Sequence, residues 1–134
     1  MENLIYPAIF HTEADGGYSV SFPDLPGCFT DGDNLAEAMF MAKDALGIYL
    51  FTLKEDNEPF PAATSPADIK LEPGEFTSLI EWDELDYLKR TDNRAVKKTL
   101  TIPSWLNNLA EREHINFSQT LQTALKKQLE LSAT

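Results

Sequence analysis

The chain has 134 residues, with 22 Asp and Glu against 11 Lys and Arg, for a formal net charge of −11. That length suits one domain plus a small module, and 43% hydrophobic residues exclude wholesale disorder. One cysteine, Cys28, excludes an intramolecular disulfide; with no basic leader in "MENLIYPAIF" and no apolar run near the roughly 20 residues of a bilayer span, a soluble cytoplasmic protein is expected.

"LIYPAIFHT" reads as a first strand and "EADGG" as a turn. "YSVSF" alternates Tyr18, Val20 and Phe22 with serines, the pattern of a half-buried strand that closes a hairpin. In "PDLPGC", Pro26-Gly27 suits a type II turn, and "CFT" gives a short third strand. "DGDNLAEAMFMAKDALGIYLFTLKED" is the clearest helix. Its stripe is Leu35, Ala38, Met39, Ala42, Leu46, Tyr49, Leu50 and Leu53, with Asn34 as cap and Glu37 three places on. Phe40, Met41, Ile48 and Phe51 lie off that stripe, so a second packing partner is expected. The proline-bearing run "NEPFPAATSPADIKLEPGE" is an irregular connection, "FTSLIEWDEL" a last strand, and "DYLKRTDNR" a short helix or linker. The expected class is α+β: a β-β-β-α-β domain over residues 1–88, a linker over 89–94, and a second module over 95–134.

Charge divides along the same line. Residues 1–93 hold 19 Asp/Glu and 5 Lys/Arg, whereas residues 94–134 hold 3 and 6. Such asymmetry suits an acidic part for a basic partner and a mildly basic tail for an anionic one.

From Val96 to Ile102 the residues alternate: Val96, Leu100 and Ile102 on one face, Lys97, Thr99 and Thr101 on the other, with Lys98 breaking the apolar side. Pro103 ends that strand and fits the first turn of a helix over Ser104 to Glu113. Ser118 caps a second helix whose stripe is Leu121, Ala124, Leu125 and Leu129. A lone strand and two short helices cannot bury enough surface to stand alone. Two chains pairing their strands antiparallel solve this and form a two-stranded ribbon that fits a DNA major groove. Lys97, Thr99 and Thr101 would then face base edges, and the amides near Ser118 would meet a phosphate.

"KKTLTIP", "LNNLAE" and "NFSQTLQTAL" resemble the ribbon-helix-helix DNA-binding fold over residues 94–131. By motif position, Lys97, Thr99 and Thr101 match that fold's base-reading residues, and Ser118 the phosphate-clamping helix end. Many relatives have Gly between the helices, where this chain has His114. "GGYSVSFPDLPGCFTDGDNLAEAMFMAKDAL", followed by "EPFPAATS", resembles the HicB antitoxin family, most specifically from Tyr18 to Leu46. That resemblance implies a degenerate ribonuclease-H-like sheet. It also implies a small basic HicA-type toxin as partner, an RNA-cleaving enzyme whose site the antitoxin covers, and repression of the antitoxin's own operon through operator DNA.

No enzymatic role, cofactor or metal is expected: His11 and His114 stand in no metal-ligand spacing, and the acids Asp15, Asp24, Asp31 and Asp33 read as turn residues. Cys28 reads as a small buried residue. Two further readings stand beside the antitoxin: a dimeric repressor whose N-terminal domain senses a ligand, and an acid-cluster nuclease. Individual toxin contacts, the operator sequence, the toxin ratio and the choice of dimer or tetramer are not legible in the sequence.

Overall fold

β1 (Asn3–Thr12) and β2 (Tyr18–Ser21) pair antiparallel, Ile9 opposite Ser21 and Thr12 opposite Tyr18, in a computed structural model that describes residues 3–92 and 94–131. Their turn is held by Glu13 N–H donating to the Gly17 carbonyl at 2.8 Å. Gly16 takes φ +89 there, a conformation that a β-carbon disfavours. β3 (Phe29–Gly32) pairs with β2, and β4 (Glu75–Asp83) runs along the whole of β1 from Asn3 opposite Asp83 to His11 opposite Glu75. All pairs are antiparallel and the strand order is β3-β2-β1-β4. The expected order of three strands, a helix and a fourth strand is present.

One face of the sheet is apolar because alternate residues of each strand share it. Tyr6, Ala8 and Phe10 of β1, Val20 of β2, and Ile80 and Trp82 of β4 are buried there. α1 (Leu35–Glu55) covers them with Ala38, Ala42, Leu46 and Leu50. Asn34 Oδ1 accepts from Glu37 N–H at 2.9 Å and starts the helix as its sequence requires. Burying each large aliphatic chain contributes about 1.5–3 kcal/mol. Helix and sheet meet most tightly at Gly32, where a β-carbon would fall 2.4 Å from Ala38 N. Leu35 and Met39, although on the expected stripe, are exposed.

The connection after α1 is strapped to the same domain. Phe60 meets Trp82 edge-on at 5.8 Å, Tyr6 Oη donates to the Pro61 carbonyl, and Asp24 accepts from Thr64 N–H at 2.9 Å. A short 3-10 turn follows at Pro66–Asp68.

α2 (Glu84–Thr91) runs through the first half of the expected linker. Asp83 Oδ1 accepts from Asp86 N–H at the start, and Lys89 and Arg90 occupy the last turn, as the helix dipole favours. Tyr87 anchors it against Phe51 and Trp82, and supplies the partner expected for the off-stripe Phe51; Phe40 and Ile48 stay exposed. Gly47 makes room, since a β-carbon there would meet Tyr87 Cδ1 at 2.6 Å. Glu84 is buried and paired with Lys54.

The chain divides into two compact units, Met1–Arg94 and Ala95–Thr134. Residues 1 and 134, at the ends of the expected domains, and Asn93 of the expected linker lie outside the described residues. The second unit holds α3 (Ser104–Arg112) and α4 (Phe117–Gln128). The strand expected over residues 96–102 is not formed: these residues are neither helical nor paired with a strand. A strand exists only through a neighbour's backbone, and the described residues of the single chain supply none. Among the described residues no helix is long and apolar enough to cross a membrane.

Candidate functional site

α3 and α4 are joined by a tight turn that His114 makes possible. Its φ is +55, left-handed, at the position where the sequence pattern raised the question of a missing glycine. His114 N–H donates to the Glu111 carbonyl at 3.0 Å, and Ile115 N–H to the Ala110 carbonyl at 3.0 Å. Both bonds satisfy carbonyls that the helix end leaves open. α4 ends in the same way, with Glu130 at φ +57 and Leu131 N–H donating to the Lys126 carbonyl.

Ser118 is not the cap of α4. Asn116 is: its Oδ1 accepts from Gln119 N–H at 3.0 Å, and its backbone carbonyl accepts from Thr120 N–H. Asn caps as well as Ser, and Asn116 stands one residue before the helix begins, so Phe117 and Ser118 become its first two helical residues. Among the described residues their backbone N–H groups have no acceptor, as at the start of any helix, where an anion is favoured. Ser118 therefore contributes through its amide and its place in the first turn. The signal that sequence reading missed is Asn116 itself.

Lys97, Thr99 and Thr101 are all exposed. Just upstream, Arg94 forks onto Asp92, with Nε at 3.0 Å and Nη2 at 3.2 Å, and this contact holds the Asp92 carboxyl below its ordinary range. The next cations along the chain, Lys97 and Lys98, have no ion-pair partner among the described residues.

The apolar residues of this unit are uncovered as well. Val96, Leu100, Ile102, Leu106, Leu109 and Leu125 are all exposed, and no described residue of the unit is buried. Stripes at helical spacing without a covering partner are unstable in water and need a second surface.

In the first unit the acids do not converge. Asp15 and Asp31 border a shallow depression with Glu13, Tyr18 and Ser19, whereas both carboxylate oxygens of Asp24 are held by Thr64. Among the described residues no group of three or more His, Cys, Asp or Glu could hold a metal ion. Cys28 is buried and its pKa is raised by burial to about 11, so its thiol stays protonated at neutral pH and packs as a small apolar residue.

Residues 6–125 match the family described as "HicB_like antitoxin of bacterial toxin-antitoxin system". A protein of Haemophilus phage HP1, named only as a 14.9 kDa protein of the rep-hol intergenic region, is 34% identical over 103 residues, covering 77% of this chain and 76% of its own. Antitoxin HicB 2 of Photorhabdus laumondii is 29% identical over 98% of both chains. Among solved structures, a chain of a toxin–antitoxin complex from Streptococcus pneumoniae matches with a TM-score of 0.61 and 28% identity, over 95% of this chain and 99% of that one.

Proposed function

The chain belongs to the HicB-like antitoxin family, and from that premise we propose that its two units divide the work of an autoregulated antitoxin. The first unit, with a degenerate ribonuclease-H-like sheet, binds and neutralises a HicA-type ribonuclease toxin. The second is a ribbon-helix-helix module that pairs with a second copy and represses the operon by binding operator DNA.

The carrying observation is the second unit's surface. α3 and α4 are amphipathic, yet Leu106, Leu109 and Leu125 are all exposed in the single chain. A second copy closes that surface, and the pairing brings two copies of residues 96–102 side by side as an antiparallel ribbon. One ribbon face then presents Lys97, Thr99 and Thr101 from each chain to the major groove. Threonines discriminate modestly between bases, so phosphate contacts, among them those of the Phe117 and Ser118 amides, set much of the affinity. Binding weakens steeply with salt as counterions are released.

Two experiments test the halves separately. Lys97→Glu is expected to abolish the operator gel shift while leaving toxin binding intact; an undiminished shift contradicts the ribbon assignment. Co-expression with a HicA-type toxin is expected to relieve toxicity and give a stoichiometric complex. Failure of both contradicts the antitoxin reading and favours a repressor with another first-unit ligand.

A further inference from the structure

Cross-strand partners share a face of a sheet, and successive residues alternate between faces. Tyr6, Ala8 and Phe10 face α1, so Ile5, Pro7, Ile9 and His11 face away from it. The registers extend that second face across all four strands. One row runs Thr77, Ile9, Ser21, Phe29; in the next Leu79 lies opposite Pro7, and in the one beyond it Glu81 lies opposite Ile5. Neither α1 nor α2 covers it, because Tyr87 of α2 packs on Trp82 and Phe51 at the α1 side. Pro7 is buried within this face, but Phe29 on the edge strand β3 is 72% exposed, Leu79 on the opposite edge strand β4 53% and Ile5 on β1 52%, so large apolar side chains stand open to solvent across its width.

The ends of this face are acidic. Glu75 and Asp31 stand at either side of the row formed by Glu75, His11, Ser19 and Asp31, and Glu81 and Asp83 close the opposite end. None of the four strands contains a Lys or an Arg. His11 is the one basic type present, and its Nδ1 lies 3.7 Å from Glu75.

We propose that this face, away from α1, is the docking surface for a cationic protein, with Phe29, Leu79 and Ile5 as apolar anchors and Glu75, Asp31 and Glu81 as a rim for Lys and Arg. The proposal rests on the antitoxin reading and assigns the toxin to this surface. Charge chooses the occupant. A second copy would bring two Lys- and Arg-free, acid-rimmed faces together, within a region of 19 acids and 5 bases. Nucleic acid is repelled for the same reason. A basic protein meets both the desolvated centre and the rim, and the rim speeds its capture.

The test titrates a purified, inactivated HicA-type toxin into the full chain by calorimetry at low and moderate salt. Three proteins are compared: the unmodified chain, Phe29→Arg with Leu79→Arg on the sheet face, and Phe40→Arg with Ile48→Arg on α1, which changes equally exposed side chains elsewhere. The unmodified chain is expected to bind, more tightly at low salt. The sheet variant is expected to lose roughly 30-fold or more, as for large apolar interface anchors, and the helix variant to bind as the unmodified chain does. Asp31→Lys with Glu81→Lys, which leaves every apolar contact in place, is expected to weaken binding and flatten its salt dependence. A sheet variant that binds normally, or a loss confined to the helix variant, overturns the face assignment while leaving the antitoxin reading intact. An unmodified chain that binds no toxin overturns the antitoxin reading itself.

Discussion

The two units read the same structural code with opposite results. In the first, a sheet and a helix offer complementary apolar faces, and Phe10, Leu25, Leu46, Leu50 and Trp82 disappear from solvent. In the second, α3 and α4 carry stripes of similar quality, and not one described residue is buried. The difference is area: about 40 residues cannot enclose a core alone, while the larger unit can. An amphipathic stripe therefore specifies a partner without saying whether that partner is in the same chain. In the first unit it is; in the proposed assembly of the second it is another copy.

The comparison can be broken at several points. Leu109→Asp places a charge in the surface that the second copy would cover, and is expected to abolish operator binding in a gel shift while the first unit melts as before. Retained DNA binding would mean that Leu109 is not at the pairing surface. In the first unit, Leu46→Ala removes a fully buried side chain and is expected to destabilise it by about 2–5 kcal/mol, read from denaturant unfolding. A loss below about 1 kcal/mol would show that the helix and sheet are less tightly packed than the geometry indicates. The smallest effect is His114→Gly, which relieves a left-handed residue at the end of α3. It is expected to raise the stability of the second unit by up to about 1 kcal/mol, since Gly adopts that conformation without a steric penalty. A decrease would show that the His114 side chain contributes a contact worth more than the strain.

Much of the first unit was legible because its signals are local. Alternation in "YSVSF" marked β2, and Asn34 with Glu37 marked the start of α1, where the cap bond forms. Contacts between distant residues left no such trace. Nothing near Asp24 indicates Thr64, 40 positions away, and nothing near Glu84 indicates Lys54. Periodicity also named Leu35 and Met39 as inward-facing, yet both are exposed, because a stripe records a direction and not where the neighbouring layer ends. α2 continues to Thr91 because Tyr87 finds a tertiary pocket at Gly47, which no local pattern contains. In the second unit the absence of glycine at His114 pointed to a differently shaped turn, yet His114 takes the left-handed conformation; the choice of Asn116 over Ser118 as cap was not legible either, because both residues cap well and the helix begins at the earlier one. The residues of the proposed toxin face were hidden for a related reason. Ile5, Leu79 and Phe29 come from three strands, and only the strand registers set them on one surface.

Sedimentation equilibrium of the full chain over a wide range of concentration bears most directly on the pairing of the second unit. The mass should be twice that of one chain, or a higher even multiple, and Leu109→Asp should reduce it. A chain that stays monomeric at concentrations where it binds its operator would contradict the ribbon.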